Sequence, residues 1–364
     1  MTSFTTILVL LFIAYNKVTA SSPLCGTVCY CDDNVEERYL SLDCSRAFLS
    51  IVPPVPDWPN NITHLDLSAN NITKLDVELA HSSLRVLDLS HNNIKIVVQS
   101  AFGGLRSLKY LNLAGNNIRH FEEDGFYGLD QLKSLNLSSN GLDKLPDKLF
   151  YHFIGLQELS LSDNPLIYLD PIHFNRMINL RWLDISYISL YSLDTKTFHT
   201  TGQLEFLDLS GNEFYDVPTS ALRGAKSLKH LRLNENPITS LGQRSFIKLN
   251  TIEVLELNYM DRLKEVTDET FSDMTSLRVL EIRHNRQLRY ISSKAFSGLF
   301  NDSTRPVLEE LDLQGNQLRN LQSSMVPCAR LRKFNLQQNP WECDCMFAWV
   351  KDCEIQQVYL ADLK

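Results

Sequence analysis

One spacing governs what this chain can become. The stretch Leu132-x-x-Leu135-x-Leu137-x-x-Asn140-x-Leu142-x-x-Leu145 returns in the same frame along almost the whole sequence. Its first apolar position falls at Ile62, Leu84, Leu108, Leu132, Leu156, Leu180, Leu204, Leu228, Ile252, Leu277, Leu308 and Leu331. Successive differences are 22, then seven steps of 24, then 25, 31 and 23. A period of that size is the mark of a stack of like turns. No single turn can bury its apolar side alone, so the core exists only where neighbours stack.

The spacing within a turn is as informative. In Leu-x-Leu the period is two, so alternate side chains point to the core and those between them point outward from a short strand. One strand per turn, stacked in parallel, makes a continuous sheet. The asparagine that closes each motif stands at Asn70, Asn92, Asn116, Asn140, Asn164, Asn212, Asn236, Asn285, Asn316 and Asn339. An amide turned inward there offers both donors and an acceptor to backbone groups that the turn leaves unpaired. On the opposite side a phenylalanine recurs, at Phe102, Phe126, Phe150, Phe174, Phe198, Phe246, Phe271 and Phe296. These leucines, asparagines and phenylalanines read as core. The expected fold is an α/β solenoid, a leucine-rich-repeat horseshoe of about twelve repeats with a parallel concave sheet and a disulfide cap at each end.

Length alone would suggest two or three domains, but a solenoid grows without splitting. The chain therefore reads as a signal peptide over 1–20, an N-terminal cysteine cap over 21–61, repeats over 62–339 and a short or truncated C-terminal cap over 340–364. The signal reading rests on the apolar run Ile7 to Ala14 and the small residues of Val18-Thr19-Ala20. That run is too short to span a bilayer. Export fits the eight cysteines, which form two groups with none between Cys44 and Cys328. The first is Cys25-x3-Cys29-x-Cys31-x12-Cys44 and the second is Cys343-x-Cys345-x7-Cys353, with Cys328 just upstream. Zinc is the competing use of four close cysteines, and export favours disulfides over it. Four cysteines allow three pairings, and spacing does not choose among them for the second group.

The Cys-x3-Cys-x-Cys cap, the 24-residue repeats and the finish Asn339-Pro340-Trp341-x-Cys343-x-Cys345 resemble animal extracellular leucine-rich-repeat proteins, the group of Slit-, Toll- and Nogo-receptor-like ectodomains. The resemblance runs from about Cys25 to Cys353. It implies pairing of Cys25 with Cys31 and of Cys29 with Cys44. It also implies a C-terminal cap with two later cysteines, where this chain has only Cys353 before Lys364. Two readings stay open: an abbreviated cap that recruits Cys328, or an ectodomain whose continuation carries a membrane anchor. Localisation is accordingly expected in the extracellular space or at the cell surface.

The candidate working surface is the outward side of the strands. One column, between the second and third leucines, reads Asp66, Asp88, Asn112, Asn136, Ser160, Asp184, Asp208, Arg232, Glu256, Glu281, Asp312 and Asn335. Seven are acidic and one is basic, which with a net charge of −8 suits a basic partner surface and argues against nucleic acid. A neighbouring column carries Tyr110, Trp182 and Phe206, with Tyr187 nearby, as aromatics expected to face solvent. Large aromatics suit the desolvated centre of a protein interface. The residues singled out for partner binding are Tyr110, Trp182, Asp184, Tyr187, Phe206, Asp208, Arg232, Glu256, Tyr259 and Glu281. Solubility is the competing role for the acids, because Leu-Asp-Leu-Ser is ordinary solenoid filling.

Two turns break the pattern: Ile188 and Met260 stand where asparagine is expected, each preceded by a tyrosine, Tyr187 and Tyr259. An orphaned buried backbone group there would cost about 1–3 kcal/mol unless a neighbour satisfies it. The long step hides an insertion, Phe300 to Pro306, expected as a polar surface loop. Four Asn-x-Ser/Thr sites, Asn61, Asn71, Asn136 and Asn301, are candidate glycan carriers. A glycan on Asn136 would wall off the N-terminal third and direct binding toward Trp182 and Phe206. No Gly-x-Ser-x-Gly, His-Glu-x-x-His or phosphate-cradling glycine loop occurs, so no catalytic, cofactor or metal residue and no small-molecule substrate is expected. Function reads as protein binding, by a receptor or adhesion ectodomain; the alternatives are a soluble secreted or matrix scaffold that sequesters its ligand, and innate immune pattern recognition.

Overall fold

The computed structural model describes residues 22–34, 39–299, 308–325, 331–342, 349 and 357–359. The expected signal peptide, the insertion from Phe300 to Pro306, the glycan candidate Asn301 and the cysteines Cys328, Cys343, Cys345 and Cys353 all lie outside the described residues. The chain forms two compact units, Met1–Leu156 and Gln157–Lys364.

The first unit opens on a hairpin in which Tyr30–Asn34 runs antiparallel to Tyr39–Asp43. Cys25 is bonded to Cys31 and Cys29 to Cys44, so both disulfides fasten this cover over the end of the stack. Trp58, between this hairpin and the first repeat in sequence, is buried and donates its indole N–H to the carbonyl of Pro53 at 3.0 Å. From Tyr39–Asp43 onward pairing is parallel, through Ile62–Asp66, Val86–Asp88, Tyr110–Asn112 and Ser134–Asn136, each step pairing residues one repeat apart.

The second unit has a parallel ladder of its own, through Glu158–Ser160, Trp182–Asp184, Phe206–Asp208, His230–Arg232, Val254–Glu256, Val279–Glu281, Glu310–Asp312, Lys333–Asn335 and Gln357–Tyr359. Register follows the period directly: Trp182 lies beside Phe206, Leu183 beside Leu207 and Asp184 beside Asp208. The long step between Leu277 and Leu308 leaves this register intact, because Leu280 pairs with Leu311.

Both units bury the motif leucines, and the recurring phenylalanines form spines behind the sheet. Phe102 and Phe126 lie 5.9 Å apart in the first unit; Phe271 and Phe296 lie 5.4 Å apart in the second. Such offset ring pairs add roughly 0.5–1.5 kcal/mol to the burial itself. The parallel-sheet solenoid is therefore present. The helical half of the α/β expectation shrinks, among the described residues, to short turns such as the four-residue α turn at Thr219–Leu222 and the 3₁₀ turns at Val55–Asp57 and Pro171–Phe174. In its place the return segments use single turns with i to i+3 bonds, such as Leu105 N–H to the Phe102 carbonyl at 2.9 Å. A repeat of this length leaves too few residues for a helix that could offset its nucleation cost.

Candidate functional site

The acidic column has an architectural duty. As the chain leaves each strand, the side-chain oxygen of the column residue accepts from the N–H two residues on: Asp66 from Ser68 at 2.8 Å, Asp88 from Ser90 at 2.8 Å, Asp184 from Ser186 at 3.0 Å and Asp208 from Ser210 at 2.9 Å. Asn112 and Asn136 make the same bond, at 3.1 and 3.0 Å. A short Asp or Asn side chain is what this local turn needs. One carboxylate oxygen per residue is thereby committed to the fold, so the expected complement to a basic partner is weaker than the count of acids suggests.

Arg232, Glu256 and Glu281 are too long for that turn, and there the column changes character. Asn234 takes over, its Oδ1 accepting from the Asn258 N–H at 2.8 Å and its Nδ2 donating to Glu256 at 3.1 Å. Asn258 repeats the arrangement, accepting from the Arg283 N–H at 2.8 Å and donating to Glu281 at 3.1 Å. Arg283 also pairs with Glu281.

Above this network sits the aromatic pair. Trp182 and Phe206 are stacked, 5.4 Å apart and 9° from parallel, and His230 meets the Phe206 ring edge-on at 4.9 Å. The Arg232 guanidinium lies 5.1 Å from the Phe206 centroid. Its Nε donates to Glu256 at 2.8 Å, while Nη1 reaches Asp208 at 3.4 Å. His230 Nε2 donates to the same Glu256 oxygen at 2.7 Å. Burial pushes the Glu256 carboxyl up, but the bonds from His230, Arg232 and Asn234 outweigh it and bring the pKa down to about 2. Asp208 moves the other way, raised by burial against the pull of the Ser210 bonds.

The structure thus brings Trp182, Phe206, Asp208, Arg232 and Glu256 together, with Asp184 beside Asp208 in register. It corrects one expectation about them: Trp182 and Phe206 do not stand open to solvent but are half-buried, since stacking covers a face of each ring. Tyr110, Tyr187 and Tyr259 are exposed. Tyr110 belongs to the first unit, on Tyr110–Asn112. Tyr187 holds a left-handed backbone (φ 53°) just before Ile188, and its ring lies across Gly211, where no Cβ would fit. Its hydroxyl donates to Glu235 at 2.6 Å, and that bond, with burial, pushes its pKa up to about 12. Tyr259, also left-handed (φ 58°), stacks on His284 at 5.0 Å. Glu281 is held by Asn258 and Arg283, away from the aromatic pair's direct contacts.

Asn61 and Asn71 are exposed, though Asn71 also accepts from Asn93. Asn136 is half-buried on Ser134–Asn136, with its Oδ1 already bonded to the Ser138 N–H. Among the described residues no group of three or more His, Cys, Asp or Glu side chains is placed to hold a metal ion.

A second column escaped the sequence reading. Three residues after the inward position stand Ile167, Tyr191 and Tyr215 in the second unit, with Tyr168 adjoining; relative exposures are 62%, 64%, 54% and 55%. The same position in the first unit carries Thr73, Lys95, Arg119 and Asp143. The signal was available as three large apolar residues at a spacing of 24 next to buried Leu166, Leu190 and Phe214. That position lies beyond the strand, outside the columns that the Leu-x-Leu alternation defines.

Comparison with known families decides the assignment. The family model described as "Leucine rich repeat" matches residues 60–118, 82–142, 130–190, 154–214 and 202–261, and "BspA type Leucine rich repeat region (6 copies)" matches 250–348. The chain belongs to the leucine-rich-repeat family. Among curated proteins none matches it in sequence. Among solved structures, this leucine-rich-repeat chain is similar to the Toll chain of the Drosophila Toll–Spatzle complex in its glycosylated form. That match has 24% identity and a TM-score of 0.64 over 77% of this chain and 38% of that one. A further structure of the Toll–Spatzle complex matches at 21% identity and a TM-score of 0.59, over 80% and 43% of the two chains. An octameric complex of Latrophilin 3, Unc5D and FLRT2 (LRR) matches at 21% identity and a TM-score of 0.60, over 90% of this chain and 88% of that one. These likenesses establish the fold. The chain spans about two fifths of the length of the two Toll chains.

Proposed function

We propose that this is an extracellular protein-binding module, a receptor or adhesion ectodomain in kind, and that the strand face of its second unit takes the partner. The observation that carries the reading is the Trp182–Phe206 stack with Arg232 laid against it. Interface hot spots concentrate in Trp, Tyr and Arg, where a rigid aromatic surface can be desolvated at little entropic cost. The charges beneath are already paired within the protein, so a docking partner would not strand a lone ion. Asp184, Asp208, Glu256 and Glu281 outnumber Arg232 and Arg283 beside them, which favours a partner with a basic rim. The extracellular part rests on the disulfides of the N-terminal cap, which persist in oxidising compartments. Solved relatives in fold were captured as complexes of Toll with Spatzle and of FLRT2 with Latrophilin 3 and Unc5D, which accords with protein binding rather than catalysis.

The test is an affinity comparison between the full chain and its Trp182→Ala/Phe206→Ala variant for a partner isolated from extracellular medium. Loss of tenfold or more, about 1.4 kcal/mol, supports the proposal. Equal affinity in the variant, with its folding confirmed by circular dichroism, removes this face from the function.

A further inference from the structure

We propose that the edge column Ile167–Tyr191–Tyr215 of the second unit is a separate docking strip for a lysine- and arginine-rich segment of a partner protein. The strip follows from the repeat. Leu166, Leu190 and Phe214 point into the core, so the next residue of each turn points out, and successive turns place these side chains side by side. The Glu213 N–H donates to the Leu190 carbonyl at 2.7 Å, tying two of these turns edge to edge. More than half of each side chain in the strip is exposed, with Tyr168 widening it. Soluble surfaces seldom present large apolar groups in so regular a row unless something covers them.

Charge indicates what covers them. Asp170, Asp194, Glu213 and Asp216 flank the strip, and among the described residues no ion pair engages any of the four. Asp170 and Asp194 lie close enough to raise the Tyr168 hydroxyl pKa, as does Tyr191, after the effect of burial. Asp170 accepts from the Tyr168 hydroxyl and the Ile172 N–H, and Asp194 from the Lys196 N–H, but these bonds leave their charge uncompensated. Aromatic faces edged by such carboxylates match side chains that carry an aliphatic stem and a cationic head. The chain shows that chemistry in miniature: its own Arg262 sits with Cζ 5.8 Å from the Tyr215 centroid. The first unit carries Thr73, Lys95, Arg119 and Asp143 at the same repeat position, with no large apolar side chain among them, so the apolar row belongs to this stretch and not to the repeat.

The test uses the secreted, disulfide-intact full chain and a labelled oligo-arginine peptide, followed by fluorescence anisotropy, with an oligo-glutamate peptide as control. The wild type is expected to bind oligo-arginine and not oligo-glutamate. Tyr191→Ser/Tyr215→Ser is expected to weaken binding about tenfold, while Tyr191→Phe/Tyr215→Phe, which keeps the ring faces, retains it. Asp194→Asn/Asp216→Asn is expected to weaken binding and flatten its salt dependence. Tyr127→Ser, an exposed tyrosine of the first unit outside the strip, leaves it unchanged. Wild-type affinity in the serine variant overturns the proposal, since attraction to overall negative charge would then account for the binding. Loss in the phenylalanine variant overturns it as well.

Discussion

The two units apply one rule with different strictness. In the first, Asn70, Asn92, Asn116 and Asn140 close consecutive turns, and carbonyls are covered redundantly: Leu89 receives Nδ2 from Asn92 at 3.1 Å and from Asn116 at 3.0 Å. In the second unit, Ile188 and Met260 interrupt the ladder. Among the described hydrogen bonds the Ile185 carbonyl then receives an amide from Asn212 alone, at 2.9 Å, and the Leu257 carbonyl from Asn285 alone, at 3.1 Å. Asn212 Oδ1 also accepts from the Ile188 N–H at 3.3 Å and the Leu190 N–H at 3.0 Å. The difference shows how a turn can lose its asparagine without orphaning the backbone. Each amide reaches two turns, so a neighbour covers the gap and only redundancy disappears. The residue before the inward position is left-handed in asparagine-closed turns as well, at Ala69, His91 and Ser139, and the two irregular turns place tyrosines there.

The largest expected effect follows from that lost redundancy. Asn212→Ala should destabilise the chain by about 3 kcal/mol and Asn116→Ala by about half as much, because only the former leaves a carbonyl with no amide donor. Urea denaturation of the two variants, read side by side, checks it; equal losses would break the comparison. A sharper form is the double-mutant cycle with Ile188→Asn. By itself this change should lie within about 1 kcal/mol of neutral, but it should recover part of the Asn212→Ala loss by restoring a donor to the Ile185 carbonyl.

Glu256 supplies a pH test of the second unit's strand face. Its folded pKa of about 2 lies below the ordinary value of 4.5, so its contribution is fully present above pH 4.5 and is lost as pH falls through about 2. Glu256→Gln should cost roughly 1–2 kcal/mol at neutral pH and make melting less dependent on pH across that window, as measured by calorimetry. The smallest effect belongs to Tyr187. Its raised pKa means the bond to Glu235 stabilises the fold below pH 10 and stops doing so as pH rises toward 12. Tyr187→Phe should cost about 0.5–1 kcal/mol at neutral pH and remove one late-ionising tyrosine from the absorbance titration.

Much of this was legible in residue order. The period placed the strand leucines, the inward asparagines and the phenylalanine spine, because every element of a stacked turn is fixed by its spacing alone. The same columns located Trp182, Phe206 and Arg232 on adjoining strands. What did not show was how side chains one repeat apart would use one another. Stacking half-buries Trp182 and Phe206, Asp66 and Asp208 bend back on their own backbone, and Asn212 covers for Ile188. Each depends on side-chain reach in three dimensions, which a list of columns does not contain. The Ile167–Tyr191–Tyr215 strip was present in the period all along and needed only a column beyond the strand to be read.

The most direct measurement of the central claim is hydroxyl-radical footprinting of the full chain, free and bound to its protein partner. Protection of Trp182 and Phe206 on binding, with Tyr110 and Tyr127 of the first unit unchanged, is the result the account predicts. Unchanged labelling of Trp182 and Phe206 in a saturated complex would contradict it.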